Sequence, residues 1–429
     1  MYKIKEIKAS EILDSRGNPT VEVEIIAEKK CLFKNKEIKA WAQVPSGAST
    51  GDFEAVELRD GGERYGGKGV LKAIENIHKI ITPEILGINV LELEKIDKIM
   101  LELDGTENKS NLGANAILPI SMAVTRLGAI AKKQKLYEYI AEISENENFA
   151  EKNFVRPFFN IINGGMHAGN KIAFQEFMIS PNLKTFEENY KSASEIYHTL
   201  KKILKEKFGG VSTLLGDEGG FAPNNFDREN EALDLIMEAI EKSGYKNKVD
   251  LALDVAASEF FENKKYNLGF KNEKNDFKTV DEMIKIYKNL VEKYPIISIE
   301  DPFDQSDFIA FAKLKSELFG KGVQIVADDL TVTNTERIQK AINKKSADSL
   351  LLKINQIGTI TESIQAFKLA KLDNWTVMVS HRSGETTDDF IADFAVGIGA
   401  EQIKSGATAR GERIVKYNRL KTIEKLQKM

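Results

Sequence analysis

The sequence lacks cysteine pairs, an excess of charge of either sign and long apolar runs, and each shortage excludes a class of protein. Cys31 is the only cysteine, so no intrachain disulfide can form and a reducing compartment is expected. The 61 basic residues face 65 acidic ones, a formal charge of −4, which argues against nucleic-acid binding through a basic surface. No segment approaches the ~18 unbroken apolar residues of a membrane helix.

These shortages favour a cytoplasmic protein with no membrane insertion and no nucleic-acid partner. Residues 1–6 also lack the apolar core of a signal peptide. A chain of 429 residues is long enough for roughly two or three domains with a large core.

The most informative pattern is a series of short apolar runs that each end in a polar residue. Three consecutive leucines lead into Lys353, and a short apolar run bounded by turn residues is typical of a parallel strand buried on both faces. The other runs of this kind end at Asp254, Glu300, Asp328, His381 and Lys404. From Glu300 onward the run ends lie 23 to 28 residues apart.

This spacing predicts a β/α barrel. Eight strand–helix units in a barrel use roughly 31 residues each, so the observed steps fit a compact version. The carboxyl ends of barrel strands converge on one mouth, where the chemistry of such proteins lies. Three carboxylates, two lysines and a histidine are therefore expected to meet there.

The remaining segments are less decisive. Residues 1–28 alternate apolar and polar around a turn at 16–19, which predicts a hairpin. Residues 111–127 predict a packed helix that Pro119 kinks or interrupts. The glycine-flanked loop at 44–51 fits either a surface loop or a lid that closes over a ligand. A charged, non-periodic stretch at 142–152 marks a domain boundary, which divides the chain into residues 1–140 and 141–429.

Polar residues in the early part of the second domain suggest further site members. His167 lies in a glycine-rich loop after an apolar strand, and Gln175 and Glu176 lie within an apolar segment where they need partners. Glu218 follows another acid between glycines, a pattern that on its own slightly favours an exposed turn.

The predicted mouth supports proton abstraction beside a carboxylate. Asp254, Glu300 and Asp328 offer hard oxygen ligands that suit Mg²⁺, and the lack of cysteine and the four histidines make zinc a poor fit. A cation and Lys404 lower the pKa of Lys353, so that a neutral amine can act as a base. A divalent ion bound to a substrate carboxylate stabilises the enolate that forms.

Several segments, taken in order, resemble the enolase family over nearly the whole chain. They are residues 14–20, 45–51, 111–116, 175–178, 216–220, 298–302, 328–334, 353–359 and 380–386. The resemblance implies an α/β protein with an N-terminal α+β cap domain followed by a modified TIM-type barrel. It also implies the reversible dehydration of 2-phospho-D-glycerate to phosphoenolpyruvate in glycolysis and gluconeogenesis, with two Mg²⁺ ions, the second arriving with the substrate.

Residue roles follow from the same resemblance. The catalytic matches are Lys353 as base, Glu218 as the acid held protonated by nearby Glu176, His167 from a mobile loop, and His381, whose role stays open. The substrate matches are Gln175, Lys353, Lys404 and the phosphate-binding pair Arg382 and Ser383. The metal matches are Asp254, Glu300 and Asp328 for the first ion and Ser49, in the lid loop, for the second.

The resemblance also bears on partners and on location. It implies a phosphorylated carboxylate as substrate, a homodimer or homo-octamer, and a cytoplasmic protein with a surface or secreted fraction in some relatives. The Lys-rich stretch at 29–39 and the end of the chain at Met429 depart from the family pattern without touching a matched site residue. Another acid dehydratase of the superfamily, or a catalytically silent binding protein on the same scaffold, remains as an alternative.

Overall fold

The computed structural model describes residues 1–32, 34–47, 51–146, 149, 154–226, 228–271 and 275–428. The strands are β1 (Lys3–Leu13), β2 (Pro19–Lys29), β3 (Lys36–Gln43), β4 (Arg156–Asn163), β5 (Glu176–Pro181), β6 (Val249–Asp254), β7 (Phe261–Glu262), β8 (Lys265–Asn267), β9 (Phe277–Lys278), β10 (Ile296–Glu300), β11 (Gln324–Ala327), β12 (Ser349–Leu352), β13 (Thr376–Ser380) and β14 (Gln402–Lys404).

The α-helices alternate with most of the later strands. They are α1 (Leu71–Asn76), α2 (Thr82–Ile85), α3 (Leu93–Asp104), α4 (Ala114–Lys132), α5 (Leu136–Ile143), α6 (Phe186–Phe208), α7 (Glu229–Lys242), α8 (Val280–Lys293), α9 (Phe308–Glu317), α10 (Thr335–Lys344), α11 (Ile354–Ile357), α12 (Ile360–Leu372), α13 (Phe390–Ile398) and α14 (Gly411–Lys428).

The N-terminal part is an antiparallel sheet, β1-β2-β3, packed on helices. The predicted hairpin is confirmed: the Asp14 carboxylate accepts the backbone N–H groups of Arg16 and Asn18, which satisfies the turn between β1 and β2. Every second residue of β2 from Val21 to Ala27 is fully buried. This alternation places one face of the sheet on the core, as the period of two requires.

Helix α4 fills the core beneath that sheet. The expected interruption at Pro119 is wrong, because α4 runs through this residue, whereas the alternative of a kink stays a prediction. Nearly all of the helix up to Ala129 is buried, so tertiary packing maintains it despite the lost hydrogen bond. By length and composition α4 could also cross a bilayer, but 83% of the apolar window is buried inside the protein, as in a core helix.

The C-terminal part is a closed eight-stranded barrel with the order β10-β11-β12-β13-β14-β4-β5-β6. Neighbouring strands are parallel except at β5, which is antiparallel to both β4 and β6. The predicted barrel, a modified TIM type, is thus confirmed. One inward-facing residue from each of six strands fills the interior: Phe158, Met178, Ala252, Val326, Leu351 and Met378.

The predicted convergence of strand ends is confirmed as well. Asp254, Glu300 and Lys404 are the last residues of their strands. Asp328, Lys353 and His381 come directly after theirs. The reversed strand β5 instead begins at the mouth, which is why Glu176, its first residue, lies beside Asp254. The domain boundary between residues 140 and 141 stays a prediction.

The two parts pack closely where α5 crosses α13. At this crossing Gly397 lets the helix backbones approach: a Cβ atom there lies 2.6 Å from the Cβ and Cγ2 atoms of Ile140 and 2.8 Å from the carbonyl oxygen of Tyr137. A methyl group therefore does not fit without a shift of one helix against the other.

Gly397→Ala is expected to destabilise the protein by about 1–3 kcal/mol, because overpacking outweighs the ~1 kcal/mol that alanine gains in helix propensity. Gly411→Ala is the matched control, since a Cβ atom at that helical glycine meets open space. The urea unfolding midpoints of the two variants, compared with that of the parent protein, measure the change in stability. A Gly397→Ala protein as stable as the parent contradicts the close crossing.

Candidate active site at the mouth of the barrel

The predicted site residues lie together at the mouth of the barrel. One small cavity is lined by His167, Gln175, Glu176, Glu218, Asp254, Lys353, Ser380, His381, Arg382, Ser383 and Lys404. Glu300 and Asp328 lie at the ends of neighbouring strands and are also buried. Ser49 lies outside the described residues, so the predicted contact of the lid loop has no structural counterpart here.

Lys404 is the central cation of the site. Its Nζ atom lies 2.8 Å from both carboxylate oxygens of Glu300, 3.2 Å from Glu176 Oε2 and 3.7 Å from Asp254 Oδ2. Burial alone lowers the pKa of Lys404, but the surrounding carboxylates, Glu176 first, raise it well above its usual range. The surrounding carboxylates therefore favour the charged ammonium, which compensates part of their charge.

One cation does not compensate all of these acids. Burial and the like charge of Asp254 raise the pKa of Glu300 well above its usual range. Burial and the neighbouring Asp328 carboxylate do the same for Asp301 and Asp329. The carboxylate of Asp301 is held in place, because it accepts hydrogen bonds from the backbone N–H groups of Asp328 and Asp329 at 3.0 and 2.7 Å. The mouth thus holds several buried carboxyl groups whose charges repel one another.

The lowered pKa expected for Lys353 depends on a bound cation and stays a prediction. Its ammonium contacts the carboxylate of Asp328 directly, and Gln356 donates to the other oxygen of Asp328 at 2.8 Å. Burial lowers the pKa of Lys353, but the charge of Asp328 outweighs it and the net shift is upward. Asp328 therefore stabilises the ammonium form of Lys353.

Glu218 and Glu176 form a coupled pair beside His167. The expectation of an exposed turn is wrong, because Glu218 is buried and Asn160 Nδ2 donates to its Oε2 at 2.8 Å. His167 Nδ1 lies 3.5 Å from Glu218 and 3.7 Å from Glu176. The two carboxyl groups therefore share one small polar pocket.

The expected proton on Glu218 stays a prediction, because the two carboxyl groups titrate together. Burial and the charge of Glu218 raise the pKa of Glu176 well above its usual range. Burial acts on Glu218 in the same direction, and the adjacent His167 and His381 rings act against it. The donor Asn160 also favours the ionised form of Glu218.

The predicted phosphate-binding pair is already held in place by other residues. Arg382 donates two hydrogen bonds to Glu54, at 2.8 and 3.2 Å, and one to Asn355 Oδ1 at 3.0 Å. The Ser383 hydroxyl accepts from Arg16 Nη1 at 3.3 Å. Both side chains line the cavity, so an anion there meets a charged fork and a hydroxyl.

The donor set fits a divalent cation. The predicted ligands Asp254, Glu300 and Asp328 are hard oxygen donors with excess negative charge. The described residues include two groups of three potential ligands, and within each group the ligand atoms lie within 4.8 Å of one another. The groups are Asp301, Asp328 and Asp329, and His167, Glu176 and Glu218. The first group contains only one of the three predicted metal ligands, Asp328. The other two, Asp254 and Glu300, contact the ammonium of Lys404 instead.

Several residues of the site were missed from the sequence. Asp301 follows a strand end directly, and Asn160 is a polar residue inside an apolar strand, so both carried a detectable signal. Glu54, Gln356 and Arg413 carried none, because their partners come from distant parts of the chain.

Fold and site together place the chain among the β/α-barrel enzymes that handle anionic substrates at the carboxyl ends of their strands. Comparisons with known proteins narrow this class. Residues 4–140 match the family model described as the enolase N-terminal domain, and residues 151–428 match the enolase C-terminal TIM barrel domain. An enolase from Mastigamoeba balamuthi is 52% identical over 434 residues, covering 99% of this chain and 96% of the relative.

The chain therefore belongs to the enolase family. Membership implies a divalent metal ion and a phosphorylated small-molecule substrate, and both agree with the acidic groups and with the arginine–serine pair of the mouth.

Metal binding is expected to release protons and to strengthen as the pH rises. A raised carboxyl pKa means that Glu300 holds its proton above its usual range, whereas a metal ligand must be ionised, so affinity falls as the pH falls through that raised pKa. Calorimetry of Mg²⁺ binding at pH 6 and pH 8, in two buffers of different ionisation enthalpy, counts the protons.

Glu300→Gln should bind more weakly and release fewer protons. Glu401→Gln is the matched control, because Glu401 contacts Lys371 and does not line the mouth. Heats that are identical in both buffers, with an affinity independent of pH, contradict the protonated acid cluster.

Proposed function

We propose that the mouth of the barrel catalyses the reversible dehydration of 2-phospho-D-glycerate to phosphoenolpyruvate, a step of glycolysis and gluconeogenesis. The chain is a hydro-lyase of the enolase family, a phosphopyruvate hydratase. The observation that carries the residue assignment is one cavity that joins Lys353, the Glu176–Glu218 pair and the Arg382–Ser383 pair.

Substrate binding uses the basic side of the cavity. Arg382 and Ser383 bind the phosphate, because the arginine is already held by Glu54 and presents its guanidinium to the cavity. Gln175 and Lys404 are substrate contacts. Gln175 is oriented by its hydrogen bond to Asp254 at 3.1 Å, while its Oε1 atom is buried without a partner among the described protein atoms.

Two Mg²⁺ ions complete the proposed site. Asp254, Glu300 and Asp328 hold the first, and Ser49 contributes to the second, which arrives with the substrate. When bound, the ions neutralise the substrate carboxylate and the negative charge that develops as the C2 proton leaves.

Lys353 takes the C2 proton. In the ligand-free molecule Asp328 stabilises its ammonium form. Once Asp328 serves a cation, Lys353 loses this stabilisation while Lys404 and Arg382 still repel its charge, so its pKa falls toward the range of a base.

The Glu176–Glu218 pair supplies the acid. Protonation of the leaving hydroxyl requires one carboxyl proton between the two groups, and the raised pKa of Glu176 keeps that proton in the pair at neutral pH. Glu218, which accepts a hydrogen bond from Asn160 and lines the cavity, is the proposed acid. His167 and His381 border the pair and limit the entry of water.

The two alternatives left open by the sequence receive no support from the comparisons. Acid dehydration of an unphosphorylated sugar does not use the arginine–serine pair, and a silent scaffold does not need Lys353 and Glu218 together. We further propose a cytoplasmic homo-oligomer, a dimer or an octamer.

The direct test is phosphoenolpyruvate formation, followed by ultraviolet absorbance of its enol double bond. Turnover is expected with Mg²⁺, loss of turnover in chelator and recovery on adding Mg²⁺ back. Asp254→Asn should weaken Mg²⁺ activation by at least ~10- to 100-fold. Asp250→Asn is the control, because Asp250 lies on the same strand but contacts Arg156. Full turnover of metal-stripped protein, or none with Mg²⁺, overturns the proposal.

The base and the acid can be separated by exchange of the C2 proton with solvent deuterium. Lys353→Ala should abolish exchange and dehydration, whereas Glu218→Gln should block dehydration by about 10²- to 10⁴-fold and leave exchange in place, because the acid acts after proton removal. Lys371→Ala, which alters a lysine bound to Glu401, is the control. Equal loss of exchange in both variants contradicts the assignment.

A further inference from the structure

Arg413 is a fully buried arginine that the proposed reaction does not use. It is the third residue of α14, and its side chain has no exposed surface. A buried guanidinium is costly unless its donors are satisfied. The acceptors of Arg413 lie almost entirely in the two loops that carry the acid and phosphate-binding residues of the mouth.

Three of these acceptors are backbone carbonyl oxygens. Nη1 donates to the carbonyl of Arg382, and Nη2 donates to the carbonyls of Ser383 and Asp217, at 2.5 and 3.0 Å. Ser15 Oγ lies at a longer 3.4 Å. One planar group therefore joins the peptides of the phosphate-binding pair to the peptide immediately before Glu218.

The fourth main acceptor is the ring of His381, whose Nδ1 atom lies 2.6 Å from Nη1 of Arg413. Arginine has only donors, so Nδ1 of His381 must offer a lone pair and cannot carry a proton. The neutral ring then holds its proton on Nε2, which lies 3.4 Å from Glu218 Oε1 but does not meet the geometry of a hydrogen bond to it.

We propose that Arg413 is a positioning residue for the acid half of the site: it aligns the loop of Arg382 and Ser383 with Glu218 and fixes His381, which lies beside Glu218, as the Nε2-protonated tautomer. The inference rests on the proposed function, because it names what orients that acid. A single guanidinium thus sets both where the acid lies and which ring nitrogen of His381 carries a proton.

A purely structural role is the competing explanation, and the same helix offers a comparison. Arg419 of α14 forms a bidentate ion pair with Asp393 at 2.6 and 2.7 Å, and neither residue lines the cavity. Loss of that pair removes an arginine contact of the same helix without touching the site. Arg419→Gln therefore measures what lost stability alone does to the kinetics.

The first test reads the tautomer directly in the full-length protein without substrate. The chain has four histidines, so ¹⁵N labelling of histidine gives few ring signals, and His381→Asn assigns the one required. At pH 7 we expect the Nε2-protonated form of His381, faced by Glu218, Arg413 and Glu385. In Arg413→Lys the signals should shift toward a mixture. A ring protonated on Nδ1 in the parent protein overturns the proposal.

The second test is kinetic. Arg413→Lys keeps the charge but loses the planar fork, and kcat should fall about 10²-fold, as expected for a small displacement of reacting groups. The kcat of Arg413→Ala should fall further and should recover in part with added guanidinium ion but not with methylammonium. Arg419→Gln should unfold at a lower temperature yet keep the parent kcat and KM. Unchanged kcat and KM in a folded Arg413→Lys protein refutes the assignment.

The two tests separate failure of this inference from failure of the proposed function. The tautomer of His381 is measured without substrate and without turnover. Its result therefore supports or refutes the role of Arg413 even if the parent protein forms no phosphoenolpyruvate. This measurement also needs no variant other than the one used for assignment, which keeps it decisive if the substitutions of Arg413 do not fold.

Discussion

The burial of mutually repelling carboxylates at the end of a barrel is the constraint on which the rest of this structure depends. Such groups stay ionised only beside a cation, and Lys404 lies in contact with three of them. The barrel makes this possible because strand ends hold side chains at fixed separations. The six apolar and small residues inside it close the mouth from below, so the acids meet a low-dielectric floor rather than water.

The same electrostatics couples the ionisable groups of the mouth to one another. The Lys353 ammonium contacts Asp328, and burial and the charge of Glu218 raise the pKa of Glu176. Each of these groups has a charged neighbour inside the mouth, so a change of charge at one group shifts the pKa of the next.

Sequence reasoning predicted the features that follow from strand geometry and missed those that follow from distant pairing. Runs ending at Asp254 and Glu300 had to meet because parallel strands end at one edge. The direction of the pKa shift at Lys353 depends on which carboxylate it reaches, and no local pattern encodes that. Glu218 looked exposed because glycines flank it, yet Asn160 and two histidines from other loops enclose it. Packing likewise overrode the helix break expected at Pro119.

The position of Lys404 on β14 has a consequence for the order in which the chain folds. The β4–β5 hairpin joins residues close in sequence and can form early, before the helix-linked parallel strands. During synthesis it presents Glu176 long before the last strand emerges. The strand that closes the barrel is therefore also the one that delivers the counter-charge. A nascent chain that stops short of β14 lacks the ammonium that compensates the acids of the mouth. The repulsion between these acids then disfavours their burial before the last strand is made.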